Sequence, residues 1–370
     1  MNKLEFPQSL NYIGVFLTFD CNLNCSYCIN DPDHRGDRRT VFMFKTGLRT
    51  HLRPEEWARG LNKLPARSDL PVTFQGGEPT LYWKGDGLRQ ILAKTEVFAD
   101  LLTNFALKPE LFSEKLFGQQ AKFQRPSSYP SIRVSYHAKE MDKTWGDGLE
   151  ELIRRCEALK DLGFAVNSEP SESNVGIYIV DHPENDIAQE KIDAARKRVP
   201  VFLKDFLGTY KGELHGRYAY PYSTDLISSK TYFQTLKADC GTTELLIDPL
   251  GFVWQCHLYL YRSWQGNQPH RPAALFDKMS GYDFKSLKAK FYQPGAMFPI
   301  GHILDPDFTI EEIETFRKCY YYGECLECDT KYKRDRFETE NVYRSSVIIR
   351  NIQWPMELRD KVSNDFKRLK

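Results

Sequence analysis

The sequence predicts an α/β protein built on a parallel sheet, and three observations carry that expectation. Through the first 210 residues, short β-branched and aromatic runs alternate with helical patterns, the signature of repeated βα units. The chain has 370 residues, enough for one large domain or two modest ones and for a sizeable core. Hydrophobic residues make up 41% and charged residues 27%, an ordinary globular composition that excludes disorder and collagen-like repeats. The net charge of +1 gives no overall pull toward nucleic acid or anionic lipid. No apolar run approaches the roughly 20 residues of a membrane span. The amino-terminal MNKLEFPQSLNY lacks the basic-then-apolar layout of a signal peptide, so the cytoplasm is the expected compartment.

Taken in order, the strands are expected near residues 12–19, 70–75, 98–103, 131–136, 175–180 and 199–206. The first, YIGVFLTF, is β-branched and aromatic and reads as buried. Helical patterns lie near 53–63, 84–95, 109–117, 147–162 and 186–198. In the fourth of these, Leu149, Leu152, Ile153, Cys156, Leu159 and Leu162 form one apolar stripe. Around residue 220 the pattern breaks at PYSTDLISSK, a polar, turn-rich linker. Beyond it, ELLID and FVWQC flank a Pro-Leu-Gly turn and read as a β-hairpin. The expected division is therefore 1–220, 221–335 and a basic tail over 336–370. From residue 331 onward the chain carries 11 Lys/Arg against 6 Asp/Glu, either a solvated helix end or a contact for an acidic partner.

Cysteine is the unusual feature. Nine residues cannot pair completely within one chain, and a reducing compartment disfavours disulfides in any case. Cys156 belongs to the apolar stripe just described and reads as a small buried hydrophobe. The others cluster, as thiolate ligands of zinc or of iron–sulfur clusters do. Cys21, Cys25 and Cys28 follow the first strand at spacings of x3 and x2. Three close cysteines without a fourth suggest a [4Fe–4S] cluster with one open iron; a zinc knuckle is the alternative. FQGGEPT, residues 74–80, begins 46 residues after Cys28. Its glycines permit close backbone approach to a ligand, and its glutamate can accept from an ammonium group.

The spacing Cys21-x3-Cys25-x-Tyr27-Cys28, together with Gly76-Gly77-Glu78-Pro79, closely resembles the radical S-adenosylmethionine (SAM) superfamily. The resemblance implies a partial (β/α)6 TIM-like barrel, with a [4Fe–4S] cluster on the three cysteines and SAM chelating the open iron. It implies that Tyr27 packs near the adenine and that Gly76, Gly77 and Glu78 receive the methionyl amino group. It carries a ribose contact onto Ser135, and matches Thr103-Asn104 except that Phe105 replaces the family's glycine. His137 could serve ribose, substrate or structure. Asp181, His182, Lys204 and Asp205, at predicted strand ends, are candidate substrate contacts.

A second resemblance concerns the hairpin. Ten residues separate Cys240 from Gly251 and four separate Gly251 from Cys256, similar to the opening of the SPASM or twitch extension of radical SAM enzymes. This implies a small C-terminal β-hairpin/helix domain holding one auxiliary [4Fe–4S] cluster. Its ligands would be Cys240, Cys256, Cys325 and Cys328, with Cys319 contesting the place of Cys325. A four-cysteine zinc site is the alternative.

The implied chemistry is SAM cleavage to a 5′-deoxyadenosyl radical that abstracts hydrogen from substrate, with net oxidation or bond formation. Relatives modify peptide or protein side chains, or dehydrogenate small polar metabolites such as an aminocyclitol. A non-catalytic iron–sulfur or zinc-binding interaction protein is a third reading. The barrel strand begins at about residue 12, which is expected to leave no room for a leader-binding domain. An electron donor such as flavodoxin or ferredoxin completes the implied partners, and nucleic acid and membrane do not figure.

Overall fold

β1 (Tyr12–Thr18) is buried at every position after the first, as a strand enclosed on both faces must be. A computed structural model describes residue 4 and residues 10–28, 48–105, 118–124, 129–205, 208–210, 213–215, 238–242, 244–264, 271–293, 297–309, 317–318, 331–335 and 342–343. Beside β1 lie β2 (Val72–Gly76), β3 (Ala99–Thr103), β4 (Ile132–Tyr136), β5 (Val175–Asp181) and β6 (Val201–Asp205), paired in sequential order and all parallel. These six agree with the expected strands to within two residues at each end. Sequential order requires each connection to cross back along the sheet, and helices make most of these crossings.

α1 (Pro54–Leu61) precedes β2, and α2 (Gly87–Lys94) precedes β3. α3 (Ala138–Trp145) and α4 (Gly148–Ala158) lie between β4 and β5, and α5 (Gln189–Arg196) precedes β6. In α1, Pro54 occupies the first turn and Glu56 Oε2 accepts from the Arg53 backbone N–H at 2.7 Å. α3 was not expected from the sequence; it buries only Ala138 and Met141, too few for a legible stripe. Cys156 is fully buried in the main core, as the stripe required. The helix expected over 109–117 and the linker at 221–230 lie outside the described residues.

β7 (Gly208–Tyr210) and β8 (Glu213–His215) form a small hairpin. β9 (Ala238–Thr242) leads to the expected larger hairpin, β10 (Glu244–Ile247) and β11 (Phe252–Trp254). That hairpin continues the main sheet: β10 lies parallel to β1, and β12 (Gly301–His302) adds to β11. The order is β12-β11-β10-β1-β2-β3-β4-β5-β6. All four β10 residues are buried, so this apolar run behaves as an interior strand. Cys240, by contrast, stands on β9 in a second sheet, with β13 (Arg317–Lys318), β14 (Lys331–Asp335) and β15 (Val342–Tyr343) in the order β13-β9-β14-β15. Register sets Cys240 against Arg317, two residues before Cys319 in the chain.

Two apolar cores flank β1. Ile13, Val15 and Leu17 pack with Trp57 and Leu61 of α1, while Phe16 joins Leu246, Trp254 and Cys256. Three further helices serve the second core: α6 (His257–Trp264), α7 (Pro272–Lys278) and α8 (Phe284–Phe291). Asp248, at the hairpin turn, ties this region together. Its Oδ1 accepts from the Leu250 and Phe252 amides at 2.9 and 3.0 Å, and its Oδ2 from the Trp254 and Trp264 indoles at 2.9 and 3.0 Å. Among the described residues, no helix is long and apolar enough to cross a membrane.

Candidate active site

The C-terminal ends of β1 to β5 gather the polar residues singled out in the sequence, as parallel sheets do. The loop after β1 carries Cys21, Cys25 and Cys28, all half-buried. Its last turn is closed by the Cys28 N–H donating to the Cys25 carbonyl at 3.2 Å. Burial raises the Cys21 thiol to about 11, and Glu78 and Cys28 add to the rise. Burial and the two neighbouring thiols push Cys25 up as well. These are thiols close enough to repel one another as thiolates, a set that a cationic metal group relieves.

The chain at the end of β2 is stitched to this loop. Gly77 N–H donates to the Thr18 carbonyl at 2.8 Å, and Glu78 N–H to the Asp20 carbonyl at 2.7 Å. A Cβ on Gly76, whose φ is +142°, would stand 2.0 Å from the Thr18 oxygen; one on Gly77 would stand 2.2 Å from that of Asp20. The close approach these glycines permit is thus to the backbone of the cysteine loop.

Glu78 is 1% exposed. Its Oε1 accepts from Thr80 N–H, Thr80 Oγ1 and Thr103 Oγ1 at 3.0, 2.7 and 2.8 Å, and its Oε2 from Asn104 N–H at 2.7 Å. Burial raises its pKa, and these donors oppose the rise. A carboxylate offers about four lone-pair sites, so Oε2 keeps capacity for a further donor. Asn104 reaches the other way with its side chain, donating to Asn22 Oδ1 at 2.8 Å and to Cys21 Sγ at 3.6 Å. One asparagine therefore connects the carboxylate to the first thiol.

The remaining candidates divide. Ser135 is half-buried on β4, in register with Tyr178 of β5. His137 follows β4, and its Nδ1 meets the Tyr27 hydroxyl at 2.9 Å; burial lowers its pKa to about 4, so the ring is neutral near pH 7. Asp181 is exposed at the end of β5. His182, buried, stacks on Tyr27 at 4.4 Å between ring centroids. Lys204 lies over the rings of Tyr178 and Tyr129 at 5.1 and 5.5 Å, beside the buried Arg133–Asp100 pair at 3.1 Å that Tyr129 also covers. Asn185 was missed: its amide donates to the Tyr27 hydroxyl at 2.7 Å, and nothing in HPEND distinguishes it from any polar loop. Cys256 is buried in the second core at the start of α6. The side chains of Asp205 and Cys240, and residues Cys319, Cys325 and Cys328, lie outside the described side chains.

The residues fit a SAM-binding cluster. Cys21, Cys25 and Cys28 share one loop, and the Asn104 side chain stands 3.6 Å from Cys21 Sγ. The buried Glu78 carboxylate beside them is matched to an ammonium group.

A parallel α/β sheet with a three-cysteine loop after its first strand and a buried glutamate after its second is an arrangement that a SAM-binding iron–sulfur site would fit. Residues 15–193 match the Radical SAM superfamily, and this part of the chain is a radical SAM domain. The chain is similar to the radical SAM cyclopropyl synthase TigE of Paramaledivibacter caminithermalis, 23% identical over 291 residues that cover 69% of this chain. It spans 59% of that relative's length. Among solved structures, Streptococcus suis SuiB aligns at a TM-score of 0.42 and 14% identity, covering 79% of this chain and 67% of SuiB. Native anSMEcpe with bound AdoMet aligns at 0.43 and 13% identity, covering 97% of this chain and 100% of that one.

Proposed function

We propose that the protein is a radical SAM enzyme that removes hydrogen from a peptide or protein side chain, leading to oxidation or cross-link formation. The observation that carries the reading is Asn104, which bonds the Glu78 carboxylate with its backbone and Cys21 Sγ with its side chain. In this reading Cys21, Cys25 and Cys28 would hold a [4Fe–4S] cluster and Glu78 the ammonium of SAM. Bound there, the two cofactors would supply the chemistry that takes hydrogen from an unactivated carbon. Glu78 orients the ammonium of SAM through the free capacity of Oε2. Gly76 and Gly77 keep that carboxylate in register with the cysteine loop, Tyr27 packs near the adenine and Ser135 meets the ribose. Lys204, over the Tyr178 ring at 5.1 Å, and the buried Arg133–Asp100 pair would be polar groups for a substrate to meet.

A similar chain named a cyclopropyl synthase supports bond-forming chemistry, since its alignment extends beyond the radical SAM domain. One auxiliary [4Fe–4S] cluster on Cys240, Cys256, Cys325 and Cys328, with Cys319 the contender for the third place, would take up the electron left on an oxidised product. A small polar metabolite is the alternative substrate, and Lys204 with the Arg133–Asp100 pair supports it.

Anaerobic iron and sulfide counts test the cofactors. Two clusters give about 8 Fe per chain, and a triple alanine variant of Cys21, Cys25 and Cys28 gives about 4. A preparation that holds only zinc overturns the reading. SAM cleavage with mass spectrometry tests the reaction: loss of two hydrogens from a peptide supports the first substrate class, and an oxidised small alcohol the second.

A further inference from the structure

Tyr27 is held from three directions by residues far away in sequence. Asn185, in the loop after β5, has an unambiguous amide orientation. Its Oδ1 accepts from the Ala138 backbone N–H at 3.2 Å, and its Nδ2 donates to the Val180 carbonyl at 3.0 Å. The second Nδ2 hydrogen therefore goes to the Tyr27 oxygen, 2.7 Å away. With its oxygen accepting there, the Tyr27 O–H has His137 Nδ1 at 2.9 Å as its shorter acceptor, against 3.1 Å for Asn185 Oδ1. The ring stacks on His182 at 4.4 Å and 30°. His182 is itself fixed, because its Nδ1 accepts from the Glu184 N–H at 3.0 Å. The preceding residue is tethered too: Ser26 Oγ donates to Glu184, which Lys139 pairs with at 3.0 Å.

We propose that Asn185 is a positioning residue that, with His137 and His182, clamps Tyr27 and so fixes the last turn of the cysteine loop. This rests on the radical SAM reading and deepens it. In that reading Tyr27 meets SAM with its ring, because both hydrogen-bonding capacities of its hydroxyl are already engaged by Asn185 and His137. Loosening the clamp frees the turn between Cys25 and Cys28, and SAM loses a pre-positioned contact.

The test is a double-mutant cycle on Tyr27→Phe and Asn185→Ala, with two readouts. In the metal-free protein, each variant speeds amide exchange across residues 21–28 while the exchange of β3 and β4 is unchanged. In the reconstituted protein, each single variant keeps the iron content and weakens SAM binding about 10-fold, and the double variant is no weaker than either single one. Additive losses, or exchange unchanged in the Asn185→Ala protein, overturn the clamp. Should Asn185→Ala fail to fold, Tyr27→Phe carries the same two readouts from the other end of the hydrogen bond, and no change in either one overturns the proposal. Failure of the underlying reading is separate: the wild-type protein then shows no SAM-dependent change in the electron paramagnetic resonance signal of its cluster.

Discussion

Phe105 holds a left-handed backbone, φ = 50°, while its amide donates to Oγ1 of Thr103 at 2.9 Å. It is the residue that replaces the glycine of the family's Thr-Asn-Gly segment, and the structure retains the backbone that glycine would favour. A fully buried ring secures it there, together with Arg155 Nη1 donating to its carbonyl at 3.2 Å. An L-residue pays roughly 1–2 kcal/mol for this conformation.

The usual order of alanine and glycine is therefore inverted at this position. Both Phe105→Ala and Phe105→Gly lose the buried ring, about 3–5 kcal/mol. The glycine variant sheds the strain as well, and is expected to be the more stable by about 1 kcal/mol. Denaturant midpoints of the two variants decide it; an alanine variant of equal or greater stability counts against a strained Phe105.

Glu78→Gln keeps the shape of the side chain and removes its charge. A charge-assisted hydrogen bond contributes about 1.5–3 kcal/mol, so SAM affinity is expected to fall roughly 10- to 150-fold with iron content unchanged. Equilibrium binding to the reconstituted protein measures it. Unaltered affinity would remove Glu78 from the SAM site.

Asn104→Ala leaves its backbone donation to Glu78 in place and deletes the donor 3.6 Å from Cys21 Sγ. Hydrogen bonds to ligating sulfur stabilise the more negative, reduced cluster. The midpoint potential of the first cluster is expected to move negative, and a potentiometric titration followed by electron paramagnetic resonance reads the shift. A positive shift would contradict the assignment.

His302 gives the pH dependence a defined sign. Burial lowers its pKa to about 3, its Nε2 faces the Leu250 carbonyl at 2.9 Å, and its Nδ1 accepts from the Leu304 N–H at 3.2 Å. Protonation would set one N–H against another. The unfolded chain binds the proton near pH 6.5 and the folded chain only near 3, so folding stability is lost as pH falls through that window. Its share of the slope is up to about 1.4 kcal/mol per pH unit. His302→Gln should flatten the dependence between pH 6 and 4 relative to wild type; parallel curves would argue against a neutral buried imidazole.

Much of the site was legible because its signals are local. Three thiols within eight residues, an aromatic at a fixed offset and a Gly-Gly-Glu-Pro turn each fit within one loop, and alternating apolar runs located six parallel strands. The reason for the glycines was not legible. They clear the way for the Thr18 and Asp20 carbonyls, which are more than fifty residues away in the chain. The roles of His137 and Asn185 were hidden for the same kind of reason, since each acts through Tyr27 across more than a hundred residues.

By itself, then, the sequence determined the α/β class, the places of six parallel strands and the clustering of three cysteines after the first, because periodicity and spacing are properties of contiguous residues. Only the tertiary structure decided that the hairpin of β10 and β11 continues the main sheet beside β1 while Cys240 stands in another. Strand pairing is a choice among distant backbone partners, and burial of the whole ELLI run on both faces makes that choice.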